Sequence, residues 1–289
     1  YQQALHIMEA VGYRPGLAVT FSNIGLVFAK LGQQDKALEY YQQALIISEE
    51  VGDHAGLATT LTNIGAFYDS LGQRDKALDY YQQALPIHEE VSDRAGLSNT
   101  FNNIGLVYDS LGQRDKALDY YQQALTIREE VGDHPGLAAT LANIGTVYNS
   151  LGQQGNALDY YQQALTIMEE VGDRAGLATT LNNIGAVYNS LGQQGNALDY
   201  YQQVLPIREE VGDRAGLATT LSNIGAVYNS LGQRDKALDY YNQALPIRQE
   251  VGDRAGERAT RYNIAMVYRA QWRLAAAITQ LKRVAELDR

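Results

Sequence analysis

The stretch Gly176–Gly192, GLATTLNNIGAVYNSLG, decides the fold of this chain. Its apolar residues recur at spacings of three and four, which places them along one face of an α-helix. A second amphipathic stretch, Ala197–Val211, follows after a short break. The pattern therefore predicts a helix–turn–helix unit, in which the first helix is named helix A and the second helix B. The apolar face of helix A consists of Leu177, Leu181, Ile184, Val187, Tyr188 and Leu191.

The ends of the two helices are marked by glycine and aspartate. Gly192 follows the last apolar residue of helix A, where helices commonly end on a residue in the left-handed conformation. Asp213 follows helix B, and Asp side chains cap helices by accepting a bond from a free backbone N–H. We therefore expect Gly192 to end one helix and Asp213 to begin the next helix A.

Small and large side chains alternate where the two helices must approach each other. Gly185 and Ala197 lie in facing stretches, and Tyr188 and Tyr201 are the large counterparts. Tyr201 is the second member of a Tyr-Tyr pair that recurs in helix B. Because this position falls on the apolar face, we expect its ring to pack in the core rather than to form a binding strip.

The helical pair is repeated along the whole chain of 289 residues. The tripeptide Asn-Ile-Gly recurs every 40 residues, and a seventh copy reads Asn-Ile-Ala. Six full units span residues 16–255, a partial unit spans 1–15, and a divergent unit, 256–289, is expected to cap the array. One pair of helices cannot bury both of its faces, so neighbouring units must stack. The sequence therefore predicts a single all-α solenoid over residues 1–289.

Composition and charge restrict the function and the compartment. A hydrophobic content of 45% with 19% charged residues argues for a folded chain rather than a disordered one. The net charge of -10 makes nucleic acid a poor partner, because an acidic surface repels phosphates. No apolar run approaches the roughly 18 residues of a membrane span. Cysteine is absent, which suits a reducing compartment, and we therefore expect a cytoplasmic protein. We expect no membrane among its partners.

The repeated pattern resembles the tetratricopeptide repeat. The resemblance rests on Leu181, Ile184, Gly185, Tyr188, Gly192, Ala197 and Tyr201, and it covers essentially the whole chain. It implies a right-handed α-solenoid of stacked helix–turn–helix units. The common repeat has about 34 residues, so the present unit is a long variant. Long units of this kind resemble those of kinesin light chains and cell-polarity adaptors, and the arrays of bacterial NB-ARC ATPases and partners of CHAT proteases.

In the family that the chain resembles, helix A lines the concave groove that holds a ligand. A row of amides is expected there, because an Asn side chain can both donate to and accept from an extended peptide backbone. A second row of polar residues follows one or two turns later on the same face. An open alternative is that each Asn bonds within its own helix or to the next unit. The predicted peptide-binding residues are Asn23, Asn63, Asn103, Asn143, Asn183, Asn223 and Asn263, together with Asp69, Asp109, Asn149, Asn189 and Asn229.

The chemistry of the ligand is predicted from what the groove lacks. Some tetratricopeptide domains clamp a C-terminal carboxylate with Lys, Arg and Asn. The matching position here, two residues after the Ile, carries no basic residue, so that clamp is not expected. No basic residue is expected in the middle of the groove, and a polar or basic peptide is the predicted ligand. The position is occupied by Leu26, Ala66, Leu106, Thr146, Ala186, Ala226 and Met266.

No catalytic, metal or cofactor motif is present in the sequence. It contains no phosphate-binding Gly-x4-Gly-Lys-Ser/Thr loop, no His-Glu-x2-His and no Gly-x-Ser-x-Gly. The prediction is therefore a non-catalytic peptide-binding scaffold within a larger bacterial signalling protein. Two alternatives stay open. In the first alternative the array is a sensor or autoinhibitory arm of a STAND-type ATPase or CHAT-protease system. In the second it is a structural spacer without a groove ligand.

The N-terminal fragment suggests a further kind of contact. Tyr1–Val11 matches the later part of a helix B whose own helix A is missing, so Leu5 and Met8 are expected to be poorly covered. Exposed apolar ends favour packing between copies. End-to-end self-association is therefore expected alongside peptide binding.

Overall fold

The computed structural model of the chain describes Gln3, Met8 and residues 10–287. Between residues 14 and 287 the chain forms fourteen α-helices and, within the described residues, no strand. The predicted all-α class with helices in sequential pairs is confirmed. The helices are α1 (Arg14–Lys30), α2 (Gln34–Val51), α3 (His54–Ser70), α4 (Arg74–Glu90), α5 (Arg94–Ser110), α6 (Arg114–Val131), α7 (His134–Ser150), α8 (Gln154–Val171), α9 (Arg174–Ser190), α10 (Gln194–Glu210), α11 (Arg214–Ser230), α12 (Arg234–Glu250), α13 (Arg254–Ala270) and α14 (Leu274–Leu287).

The chain divides into two compact parts, an N-terminal part that ends at Val147 and a C-terminal part that begins at Tyr148. In the N-terminal part α1 pairs with α2, α3 with α4 and α5 with α6. In the C-terminal part α9 pairs with α10, α11 with α12 and α13 with α14. Odd-numbered helices are thus helix A of a unit and even-numbered helices are helix B. Among the described residues, no helix is both long and apolar enough to cross a membrane.

Helix A ends where the glycine predicts. Gly192 has a φ of 71°, in the left-handed region, after α9. Its N–H donates to the carbonyl of Asn189 at 3.0 Å, and the N–H of Gln193 donates to the carbonyl of Tyr188 at 2.9 Å. These two bonds form a Schellman motif, which satisfies carbonyl groups that the helix leaves free. The prediction for Gly192 is confirmed.

Helix A begins on an aspartate, as the sequence predicts. The carboxylate of Asp213 accepts a hydrogen bond from the backbone N–H of Gly216 at 2.8 Å, at the start of α11. Asp53, Asp93 and Asp173 cap α3, α5 and α9 in the same way. A cap of this kind stabilises a helix by about 1 kcal/mol.

A glycine on helix A and a tyrosine on helix B form the centre of five of the units, whereas the last unit has Ala265 and Leu281 at these positions. A Cβ atom added at Gly185 would lie only 2.7 Å from the Tyr201 ring. Tyr201 is 2% exposed, and this burial raises the pKa of its hydroxyl to about 12. The close approach of the two helices thus depends on the absence of a side chain at Gly185. The predicted core role of Tyr201 is confirmed.

The next helix A covers the tyrosine from the other side. Ala197 and Tyr201 form one buried cluster with Ile224 and Val227 of α11. Burying a side chain of the size of Ile224 contributes roughly 1.5–3 kcal/mol. The α9–α10 unit is therefore completed by the unit that follows it, which is the packing expected of a solenoid.

The structure describes only part of the N-terminal fragment. Leu5, expected to be poorly covered, lies outside the described residues. Met8 is half-buried, and its sulfur lies 3.2 Å from the Thr20 hydroxyl. End-to-end self-association stays a prediction.

Two glycines in the C-terminal part allow a matched test of the glycine–tyrosine contact. Gly185→Ala places a methyl group against the Tyr201 ring, and we expect it to destabilise the fold by about 1–3 kcal/mol. Gly155→Ala, at a helical position where a Cβ meets nothing within 4 Å, should instead stabilise it by about 0.4–1 kcal/mol. Midpoints of urea unfolding measured by circular dichroism check both. Equal midpoints for the two variants would contradict this account of the core.

Candidate functional site

The predicted amide row lies on helix A in every unit. All seven asparagines that precede Ile-Gly or Ile-Ala are half-buried, so each is partly open to a ligand. In the second row Asp69, Asp109, Asn149 and Asn189 are also half-buried, whereas Asn229 is exposed.

Three of these asparagines bond to the helix A that precedes their own. The amide N–H of Asn63 donates to the Ser22 hydroxyl at 3.1 Å. Asn143 donates to the side-chain carbonyl of Asn102 at 3.2 Å, and Asn223 donates to that of Asn182 at 3.2 Å. The amide row therefore has a structural role in stacking at these positions, as the open alternative in the sequence allowed. Among the described residues Asn103 has no such partner.

Two neighbouring cavities lie along the helix A surface of the N-terminal part. The first has a volume of about 450 Å³ and is lined by Asn63 and Asn103 of the predicted row. Asn99, Asn102, Thr59 and Thr62 contribute further polar side chains to it. The second has a volume of about 300 Å³ and is lined by Asn23, Asn63 and Asp53 among others. Asn63 thus borders both cavities.

Asp69 and Asp109 do not border the first cavity. Burial raises the pKa of Asp69, and nearby Arg74 opposes that shift. The negative charges of Asp69 and Asp109 in turn raise the pKa values of Tyr81 and Tyr121, the core tyrosines of their own units, although burial is the larger cause. These two predicted residues therefore belong to the surroundings of the core tyrosines.

Two basic residues of helix B also line the first cavity. His88 is 1% exposed and Arg128 is 4% exposed. The expectation of a groove without basic residues is therefore wrong at this position, because these side chains reach the cavity from helix B. Both occupy the position five residues before the capping aspartate, which is named the exit position. The sequence offered one signal, since this position varies within nearly identical units: Ser48, His88, Arg128, Met168, Arg208 and Arg248.

Arg128 is held by several acceptors. Its guanidinium donates to the Asn99 side-chain carbonyl at 2.7 Å and to the Thr140 hydroxyl and the Gly136 carbonyl at 2.5 Å each. Its Nε lies 3.5 Å from the Asp133 carboxylate. Burial lowers the pKa of Arg128, and Asp133 opposes this shift. Arg nonetheless stays charged in proteins, and its donors need acceptors when it is buried.

These bonds orient the amides of the first cavity. The carbonyl of Asn99 accepts from Arg128, and the carbonyl of Asn102 accepts from Asn143 and from Thr140 at 3.3 Å. Since an amide carries its acceptor and its donors on different atoms, the NH₂ groups of Asn99 and Asn102 remain for a ligand. Asn63 uses one N–H of its NH₂ group at Ser22 and offers its second N–H and its carbonyl. The cavity therefore presents more donors than acceptors.

His88 is enclosed by polar partners. Its Nδ1 lies 2.9 Å from the Asp93 carboxylate, and its Nε2 lies 3.3 Å from the Thr62 hydroxyl. Burial lowers the pKa of His88, and the charge and hydrogen bond of Asp93 raise it to a smaller extent. Asp93 also caps α5, so His88 connects the end of helix B to the start of the next helix A.

Within the described residues no group of three His, Asp or Glu side chains is placed to hold a metal ion. The polar groups of the first cavity are amides and hydroxyls, together with two buried basic side chains and the capping Asp93. Such groups bind and orient polar ligands through hydrogen bonds.

The family model described as tetratricopeptide repeat matches the chain at residues 1–50, 17–90, 56–130, 96–170, 154–210 and 216–289. Together these matches cover nearly the whole sequence. No curated protein matches the chain.

Several solved structures share the fold. BtubC (BKLC) from P. vanneervenii is 24% identical with a TM-score of 0.64, covering 80% of this chain and 92% of that one. A Rap protein complexed with Competence and Sporulation Factor is 18% identical with a TM-score of 0.69, covering 94% and 75%. A Signal Transduction ATPase with Numerous Domains (STAND) from Pyrococcus horikoshii, which has a tetratricopeptide repeat sensor, is 17% identical with a TM-score of 0.74, covering 93% and 41%.

The burial of His88 predicts a pH dependence of stability. The pKa of His88 is lowered in the folded chain, so near pH 6.5 and below the unfolded chain binds the proton more readily. The contribution of neutral His88 is therefore complete above about pH 6.5 and is lost as the pH falls through its folded pKa. We expect His88→Met, which copies Met168, to reduce the fall in the urea midpoint between pH 7.5 and pH 5.5.

The matched control is His54→Arg, at the exposed first residue of α3, where α5 begins with Arg94. This variant should keep most of the pH dependence of the original chain. If His88→Met and the original chain lost the same stability on acidification, His88 would not be the group responsible.

Proposed function

Because the chain belongs to the tetratricopeptide-repeat family, a family of protein-binding scaffolds, we propose that it holds an extended peptide along the helix A surface of its N-terminal part. The observation that carries this proposal is the first cavity, in which Arg128, Thr140 and Asn143 fix the direction of two amides. We propose that the array is non-catalytic and belongs to a larger bacterial signalling protein.

Hydrogen-bond chemistry supports a peptide backbone as the group bound in the first cavity. The NH₂ groups of Asn99, Asn102 and Asn103 suit the carbonyl oxygens of an extended chain, and the carbonyl of Asn63 suits one of its N–H groups. The buried charge of Arg128 disfavours a cationic side chain at this point. In this proposal the residues of the ligand that lie over the first cavity are therefore polar.

The second cavity favours a different part of the same ligand. It contains Asp53 and the polar side chains of Ser22, Asn23 and Thr60, and none of the described residues that line it is basic. Asp53 caps α3, and one of its oxygens accepts from Gly56 at 2.9 Å. A basic side chain of the peptide suits this carboxylate. The proposed ligand is thus a polar segment with a basic residue on one side.

The same groove also suits the alternative role of a sensor or autoinhibitory arm in a STAND-type ATPase or CHAT-protease system. The likeness to the Pyrococcus horikoshii protein supports that alternative at the level of the fold only. A structural spacer, the third hypothesis, requires no ligand in the first cavity.

Peptide binding is tested with Asn103→Ala, which removes an amide without a partner in the described structure. We expect it to weaken binding to a selected peptide roughly 2- to 10-fold, the effect of one neutral hydrogen bond, without a change in the urea midpoint. Asn143→Ala should instead lower the midpoint, because it removes the bond to Asn102. A diverse peptide array followed by fluorescence anisotropy measures the binding.

The orientation of the amides is tested with Arg128→Met. Met168 shows that the exit position accepts this side chain. We expect the variant to stay folded and to bind the peptide more weakly, because Asn99 is released. Arg248→Met, the same change in the C-terminal part, serves as the control and should leave binding unchanged. A folded Arg128→Met chain that binds as well as the original would argue against the first cavity as the site, and the absence of binding by the unmodified chain would favour the spacer.

A further inference from the structure

A contact between a lysine and an aromatic ring recurs beside the turn between helix A and helix B. The Nζ of Lys76 lies 5.0 Å from the ring centre of Tyr68. Tyr68 in turn stacks on Tyr80 of helix B, with ring centres 5.4 Å apart and an angle of 11° between the planes. The ammonium group therefore completes a stack of cation, ring and ring. The same contact joins Lys36 to Phe28, Lys116 to Tyr108 and Lys236 to Tyr228, at 5.2, 5.1 and 5.2 Å.

Two consecutive units of the C-terminal part keep the stacked rings but lack the lysine. Residues 153–156 and 193–196 read QQGN where residues 73–76, 113–116 and 233–236 read QRDK. The rings of Tyr148 and Tyr160 remain stacked at 5.3 Å, and those of Tyr188 and Tyr200 at 5.4 Å. The two positions of the missing lysine hold Asn156 and Asn196.

The replacing asparagines are turned toward their own helix start. Asn156 donates to the side-chain carbonyl of Gln153 at 2.9 Å, and Asn196 donates to that of Gln193 at 2.8 Å. The rings of Tyr148 and Tyr188 are half-buried, so part of each is exposed. Within the described residues no cation lies over either ring.

The glycines beside these asparagines are not required by the fold. A Cβ atom at Gly155 or Gly195 would meet nothing within 4 Å, and neither residue has a positive φ. Glycine is also among the poorest helix formers. Packing and backbone geometry therefore give no reason for the two glycines of QQGN, and the chemical result of the change is two tyrosine rings without the cation that covers the equivalent rings.

We propose that the uncovered faces of Tyr148 and Tyr188 bind lysine side chains of a partner polypeptide. In four other units this ring position holds an ammonium group, and in the last unit Tyr268 holds the guanidinium of Arg273, so the chain itself supplies a cation there. An aromatic face attracts a cation through its quadrupole, and the net charge of -10 favours a basic partner. This site uses none of the residues that line the two cavities, so it goes beyond the proposed binding groove.

The test uses the whole chain and two small probes, Nα-acetyl-lysine methylamide and its norleucine analogue. The analogue has a similar aliphatic side chain without the ammonium group. In NMR titrations we expect the lysine probe to shift the ring resonances of Tyr148 and Tyr188 and to have its own ε-methylene protons moved upfield. Its affinity should exceed that of the norleucine probe by about two- to fivefold at each exposed ring.

Two variants of equal charge separate ring binding from general attraction. Asn156→Lys with Asn196→Lys should cover both rings and abolish the shifts. Gln162→Lys with Gln202→Lys adds the same charge at exposed positions elsewhere on helix B and should keep them. Shifts that persist in the Asn→Lys variant, or that the norleucine probe reproduces at equal affinity, would overturn the proposal in favour of non-specific or apolar contact.

The reverse change is available in the same part of the chain. Lys236→Asn should uncover Tyr228 and create a third responsive ring. Arg234→Gln removes the same charge from the same turn and copies Gln194 of the QQGN sequence, so it should create no additional responsive ring. A response at Tyr228 in both variants, or in neither, would contradict the assignment of the site to the uncovered ring.

Discussion

The ring of a tyrosine on helix B occupies the space beside a glycine on helix A, and in the units that have this pair the other contacts depend on the close approach. At Gly65, Gly105, Gly185 and Gly225 a Cβ atom would lie 2.6–2.8 Å from the tyrosine ring. Real Cβ atoms do not tolerate that distance, so only glycine lets the two helices come so close. Once the ring lies there, its remaining surface needs a cover, and the Ile and Val of the next helix A provide it. Stacking of units is thus a consequence of the contact within one unit.

The capping aspartates connect this packing to the candidate site. Each aspartate must lie at the start of helix A to satisfy a backbone N–H, which brings its carboxylate close to the end of the preceding helix B. A basic side chain at the exit position then finds an acceptor, as His88 does at Asp93 and Arg208 and Arg248 do at Asp213 and Asp253. The same side chain extends under the next helix A. A basic residue at the exit position can therefore both pair with the capping aspartate and determine the polarity of the helix A surface that it reaches.

The amides of helix A serve two purposes that compete for the same atoms. An amide that bonds to a neighbouring unit, such as that of Asn143, strengthens the stack but offers fewer groups to a ligand. The amide of Asn103 has no such bond to the part of the chain that the structure describes, and it keeps all of its groups for a ligand. When a protein donor bonds to the carbonyl of an amide, as Arg128 does at Asn99, the NH₂ group of that amide stays available for a ligand. Identical residues in successive units are thus unequal, because their neighbours at the preceding position differ: Ser22, Thr62 and Asn102.

The sequence by itself determined the helices, their ends, the repeat and the core tyrosines, because these depend on local spacing and on glycine and aspartate at fixed positions. It also placed the amide row on helix A, since a residue three or four positions from another shares its face. Only the tertiary structure decided which amides are bonded to a neighbour, that His88 and Arg128 of helix B line the first cavity, and that Asp69 and Asp109 lie close enough to the core tyrosines Tyr81 and Tyr121 to raise their pKa values. The reason is physical: helical periodicity assigns a residue to a face within one helix. The partner of a polar side chain some 30 to 40 residues away is set by how two units stack, and no local spacing encodes that distance.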